Sequence, residues 1–197
     1  MPGLIMESAL REWTAGLPLQ EQLISIYYHI RDIPYALVSV PAHQDSGPGH
    51  LLITGRGSCG PKHHLLGAMF MELGIPVRYR TWPFLWNDPA LLYPPELRAS
   101  AKRLDLSSHL ACQAFLQGTW ILVDATWDLP LEKAGFPVNH TWDGRSDTLL
   151  AVHPVSIDEY QRWRDNQTSD RSKKGNVDGR EFFDLFNDWL EQVRHQT

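Results

Sequence analysis

The chain has 197 residues, 43% of them apolar and 21% charged, which suits one domain with a sizeable core and excludes a disordered chain. A formal net charge of −5, with no basic stripe to offset it, argues against a nucleic-acid surface held by phosphate contacts. No apolar run reaches the about 20 residues that cross a bilayer, so no membrane partner is expected.

The opening residues Met1-Pro2-Gly3-Leu4-Ile5-Met6-Glu7 lack the basic start and apolar run of a secretory leader. The expected compartment is therefore the cytosol, where Cys59 and Cys112 both stay reduced. In that setting the sequon Asn139-His140-Thr141 reads as chance.

In chain order, residues 7 to 15 predict a short helix ending at Gly16. Leu19, Leu23, Ile26, Tyr27 and Ile30 share one face of a second helix, closed by Pro34. Residues 35 to 40 read as a strand or an extended lead-in, and residues 43 to 49 as a polar loop. The apolar run Leu51-Leu52-Ile53 precedes Gly55-Arg56-Gly57-Ser58-Cys59-Gly60-Pro61, where a third helix opens with Ser58 as its N-cap and Pro61 in its first turn. Leu65, Leu66, Met69, Phe70 and Leu73 recur at helical spacing, and Gly74 and Pro76 end the helix. Cys59 thus lies at a helix N-terminus, where the helix dipole favours a thiolate.

Residues 77 to 82 alternate like a strand. Residues 87 to 108, with three prolines and a short helix near 95 to 104, read as an excursion at a cleft rim, either a lid or an ordinary loop. Residues 109 to 117 and 119 to 127 form a hairpin turning at Gln117-Gly118. Pairing Leu116 with Thr119 puts Leu110, Cys112, Ala114, Leu116, Ile121, Val123, Ala125 and Trp127 on one apolar face, so Cys112 is expected buried and inert. The same register sets His109 opposite Thr126 with Asp124 as diagonal neighbour, within side-chain reach. Residues 129 to 150 are irregular, and Ser156 starts a short helix within residues 152 to 163. The domain is expected over residues 1 to 163, a polar linker over 164 to 180, and an amphipathic helix over 181 to 197. The stripe Phe182, Phe183, Leu185, Phe186, Trp189, Leu190 and Val193 must dock, on this domain or on a partner.

Cys59, His109 and Asp124 supply what a thiol nucleophile needs: a base to take its proton and a carboxylate to orient that base. The Cys59 amide then suits a developing oxyanion. Trp82, Trp86 and Trp127 are candidates for a substrate cleft. Gly55, Gly57 and Gly60 match the spacing of a dinucleotide fingerprint, but no acidic residue follows about 20 positions on. His50, His63 and His64 near Cys59 suggest a metal, yet no second ligand pair accompanies them, and no metal or cofactor is expected.

Three stretches resemble the transglutaminase-like (transglutaminase-core) superfamily of papain-like cysteine enzymes. They are residues 26 to 35, Gly57-Ser58-Cys59-Gly60 with Leu73-Gly74-Ile75-Pro76-Val77-Arg78, and His109 through Gly118-Thr119-Trp120 to Asp128. The chain departs from that pattern at Ala111, where an aromatic residue is common, and at Gly60-Pro61. The resemblance implies an α+β fold with the nucleophile helix packed on an antiparallel sheet. It implies acyl transfer through a thioester, with Cys59 as nucleophile, His109 as base and acid, and Asp124 orienting His109. The expected partner is a peptide or protein substrate. The competing expectations are a non-catalytic binding module recruiting through the C-terminal helix and a metal-binding protein.

Overall fold

The computed structural model describes residues 2–38, 47–156, 158–161 and 179–196. Helices α1 (Pro2–Thr14) and α2 (Leu19–Arg31) are joined through Gly16 at φ +72°. Helix α3 (His50–Thr54) holds the apolar run Leu51-Leu52-Ile53, so the segment before the glycine motif is helical. A dinucleotide fingerprint, which needs a strand there, loses its context. Helix α4 (Cys59–Glu72) ends at Leu73 and Gly74, the latter at φ +78°. Ser58 takes the extended N-cap conformation, but its hydroxyl makes no capping bond, contrary to expectation.

Strands β1 (Val77–Phe84), β2 (Ser107–Leu116) and β3 (Thr119–Val123) form an antiparallel sheet in that order. Leu116 pairs with Thr119 and Cys112 with Val123. Gln117 and Gly118 both have positive φ, 49° and 84°, as a two-residue turn between twisted strands requires. The ladder stops at Cys112 and Val123, so His109 is not opposite Thr126; its ladder partner is Trp82 on β1. Beyond Val123 the chain leaves the sheet.

Two cores flank this frame. One joins Leu23, Ile26 and Ile30 of α2 and Leu65, Leu66 and Phe70 of α4 to Cys112, Ala114, Ile121 and Val123 of the hairpin. The other is aromatic. It gathers Phe84, Trp86, Trp127 and Phe136 around Phe182, Phe186 and Trp189 of the last helix, α6 (Gly179–His195). Helix α5 (Pro95–Ala101) joins it through Leu97 and Ala101, with Leu91 and Tyr93 beside them. Residues 87 to 105 are therefore anchored beneath α6 and form no lid; only Ser107 and Ser108 of the excursion reach the cleft that holds Cys59.

Polar bonds fix α6 in place. Asn187 exchanges two 2.9 Å bonds with the Leu37 backbone, and Arg194 clamps the buried Asp128 through Nε and Nη2 at 2.7 and 2.9 Å. Asp128 also accepts from the Tyr35 amide at 2.9 Å, which links α6 to the segment after α2. Near the end of the middle segment, Ser156 and Glu159 cap one another reciprocally. Of the expected linker, residues 164 to 178 lie outside the described residues. Among the described residues no helix is long and apolar enough to cross a membrane. The fold is α+β, a helical layer on a three-stranded antiparallel sheet.

Candidate active site

Cys59 is half-buried and opens α4. The approach to it is fixed by a parallel bridge between Tyr35 and Gly57. The Ala36 amide donates to the Gly57 carbonyl at 3.2 Å, and the Gly57 amide donates to the Pro34 carbonyl at 3.1 Å. Gly57 sits close to its neighbours: a Cβ there would meet Leu51 Cδ1 at 2.7 Å, so the Leu51 side chain would have to shift. The first amides of a helix have no intrahelical acceptor, and Ser58 supplies none from its side chain.

His109 and Asp124 meet at 2.8 Å between Nε2 and Oδ2, both almost fully buried. Asp124 reaches the imidazole because the chain leaves β3 at Val123. Its carboxylate is saturated with donors. Oδ2 also accepts from the Ala151 amide at 2.9 Å, and Oδ1 accepts from the Thr126 hydroxyl at 2.6 Å and the Thr126 amide at 3.2 Å. Burial alone would push Asp124 up, but the His109 charge and hydrogen bond outweigh it and hold the carboxyl below the usual range. Burial likewise opposes charge on His109. The Asp124 carboxylate, followed by a hydrogen bond and charge from Cys59, overrides it, and the imidazole is pushed up to about 10. With Nε2 committed to Asp124, Nδ1 is the nitrogen left for the thiol.

Two further polar groups on α4 stand behind this trio. His63 is fully buried; Nδ1 donates to the Cys59 carbonyl at 2.8 Å and Nε2 accepts from the Ala125 amide at 3.0 Å. That tautomer is neutral, and burial lowers the His63 pKa accordingly. Its Nε2 lies 3.4 Å from Asp124 Oδ1, and in the neutral tautomer both atoms are acceptors. Lys62 is also fully buried, and its ammonium donates to the carbonyls of Arg31, Ile33 and Thr126 at 2.9, 2.8 and 2.7 Å. Desolvation lowers its pKa to about 7. Lys62 thus pins Thr126, whose hydroxyl holds Asp124. Cys112 lies behind α4, its thiol donating to the His63 carbonyl at 3.0 Å and pushed up by burial.

A cleft of about 260 Å³ opens over Cys59 and His109, walled by Tyr35, Phe84, Trp86 and Trp127. Trp86 and Trp127 therefore reach the site, each largely buried in the aromatic core. Trp82 does not line this cleft. Its ring centroid lies 6.3 Å from that of His109, and it lines a neighbouring groove that shares Ser107 and Ser108 with the cleft. Among the described residues no group of three or more His, Cys, Asp and Glu is arranged to hold a metal. His63 spends both ring nitrogens on the backbone, and the His64 ring stands edge-on to Tyr79 at 5.1 Å. The cleft brings a helix-terminal thiol and a carboxylate-backed imidazole to one place.

A profile of the Transglutaminase-like superfamily matches residues 11–125, more than half of the chain. Two solved structures share part of it. A candidate cysteine protease from Cytophaga hutchinsonii is 22% identical over 66% of this chain and 39% of its own, with a TM-score of 0.42. A candidate protease from Parabacteroides distasonis is 16% identical over 63% of this chain and 23% of its own, with a TM-score of 0.41. The chain spans well under half the length of either. No curated protein matches it. Its sequence from α1 to the end of the hairpin places the chain in the transglutaminase-like superfamily.

Proposed function

We propose that the chain is a cysteine-dependent acyl-transfer enzyme that hydrolyses a peptide or amide bond through a thioester. The observation that carries this reading is His109, held by Asp124 at 2.8 Å and lining the same cleft as Cys59, with its imidazole pushed up to about 10. An imidazolium beside the thiol is the partner a thiolate needs at neutral pH.

In this mechanism the Cys59 sulfur attacks the substrate carbonyl carbon. The carbonyl π electrons move onto oxygen, and the oxyanion is met by the Cys59 amide. His109 passes the proton it took from the thiol to the departing amine, and the thioester remains. A water then loses its proton to His109 and attacks the thioester. The acid leaves, and the proton returns to the thiol. Asp124 keeps the ring oriented and the imidazolium stable throughout. Trp86 and Trp127 supply the apolar wall for a peptide or protein substrate, and Trp82 flanks His109 from the adjoining groove. The enzyme acts in the cytosol, where the thiol stays reduced.

Intact-mass analysis after exposure to a library of peptide amides and activated esters tests the reading. An acyl adduct on Cys59, lost in Cys59→Ser and slowed at least about a hundredfold in His109→Ala, is expected. Turnover that survives Cys59→Ser contradicts it.

A further inference from the structure

Val123 is the last residue of β3 paired in the sheet, so the fully buried amide of Ala125 has no ladder acceptor. Leaving a buried amide unmet is costly. His63 Nε2 accepts it at 3.0 Å, and Nδ1 of the same ring donates to the Cys59 carbonyl one turn back along α4, at 2.8 Å. One imidazole thus bonds the residue that carries the nucleophile and the residue that follows Asp124. The His63 carbonyl in turn accepts from the Cys112 thiol at 3.0 Å, on the strand that carries His109. The two imidazoles stand edge-on, with centroids 6.0 Å apart. An amide only donates, so Nε2 is bare and the His63 ring neutral. Burial, which lowers its pKa, suits that state, and the nearby Asp124 Oδ1 is already held by the Thr126 hydroxyl at 2.6 Å.

Resting on the acyl-transfer reading above, we propose that His63 is a positioning residue that sets the separation of the Cys59 sulfur from the His109 imidazole, and through it the fraction of Cys59 held as thiolate. His63 does not line the cleft and takes no part in the chemistry itself. Cys59 moves with the first turn of α4, while His109 is oriented by Asp124, on a segment that has left the ladder. The ring is the spacer between those two backbones. A planar imidazole bonded at both ends holds that spacing with less rotamer freedom than a longer flexible side chain would bring. The attraction between thiolate and imidazolium falls with distance, and a misplacement of about 1 Å near reacting groups costs on the order of a hundredfold in rate.

The test is made on the full chain with two variants that each keep one of the two bonds. An Asn amide reaches the Nδ1 position and a Gln amide the Nε2 position, so His63→Asn keeps the hold on Cys59 and His63→Gln the hold on Ala125. Thiolate at Cys59 is read from ultraviolet absorbance against Cys59→Ser, with Cys112 kept protonated by burial. Acylation is read as the p-nitrophenol burst from p-nitrophenyl acetate. In each variant the thiolate midpoint is expected to rise by about one pH unit or more, and the burst at neutral pH to slow at least about tenfold. A His63 with a structural role alone would lower the urea midpoint and leave the thiolate midpoint of the folded protein where it was. A wild-type thiolate midpoint or a wild-type burst in either variant therefore overturns the assignment while leaving Cys59 as nucleophile. If wild-type Cys59 never acylates, the acyl-transfer reading fails and this assignment with it. If neither variant folds, NMR of isotope-labelled histidine in the wild type serves instead. His63 should hold its proton on Nδ1, and its ring shifts should follow the ionisation of Cys59 with the same midpoint. A proton on Nε2, or shifts that ignore that ionisation, overturns the proposal.

Discussion

Lys62 and His109 are both buried, and burial disfavours the charged form of each, but their surroundings send them opposite ways. His109 has a carboxylate against its ring and rises from 6.5 to about 10. Its contribution to stability is whole below about 6.5 and is lost as pH climbs through about 10. Lys62 is hydrogen-bonded to carbonyls, and desolvation outweighs the charges of Asp128 and Asp32, so it falls from 10.5 to about 7. Its burial costs most below about 7, and stability recovers toward 10.5 because the unfolded chain still holds the proton. Each tenfold change in proton affinity is about 1.4 kcal/mol, so the two slopes are of similar size and opposite sign. Urea melts of the wild type are expected to stay nearly level from pH about 7 to about 10. Lys62→Met should expose the His109 slope, losing a few kcal/mol over the same range; a level curve in that variant would refute the pairing of the two titrations. His109 has its own readout. In Asp124→Asn its imidazole resonances should titrate about 1–3 pH units lower than in the wild type.

At the scale of elements, the α4 helix and the hairpin are written locally, and the placement of α6 is not. Pro61, Gly74 and Pro76 bracket α4, and Gln117-Gly118 between apolar runs sets the hairpin register from Leu116 and Thr119 as far as Cys112 and Val123, short of the expected pairing of His109 with Thr126. Ser58 in the N-cap position shows the limit of such reading: the backbone obeys the pattern, but the hydroxyl is not used as a cap. Cys59, Lys62, His63 and Leu66 fall at i, i+3, i+4 and i+7, so a helical wheel does signal that Lys62 and His63 face inward with the nucleophile. Nothing local signals Asp128 against Arg194, which meet across 66 residues of chain, or the cleft position of Tyr35. The stripe on α6 announces burial without naming what covers it; here it is the aromatic core under α5 and the Trp127 segment. Arg194→Met is expected to cost about 3–5 kcal/mol, because it leaves the Asp128 carboxylate buried without its partner. Phe186→Ala, emptying a fully buried ring site, is expected to cost about 3–5 kcal/mol as well. Chemical denaturation checks both, and a loss below about 1 kcal/mol in both would mean that α6 does not belong to the core.

For the molecule as a whole, two cores meet at the cleft. One packs α4 against the hairpin and so carries Cys59 and His109, while the aromatic one supplies Trp86 and Trp127 and is closed by α6. The superfamily profile covers residues 11–125, ending just past Asp124, whereas the cleft also needs Trp127 and Val152 and the aromatic core needs α6. Removing residues 181 to 197 should therefore unfold the aromatic half and weaken the site. The central claim concerns the thiol and the ring beside it, and native-state alkylation reads it directly. Iodoacetamide should modify Cys59 near neutral pH at least about a hundredfold faster than the buried Cys112, and His109→Ala should remove most of that advantage. Equal, slow labelling of both cysteines, or a Cys59 rate untouched by His109→Ala, would contradict the account.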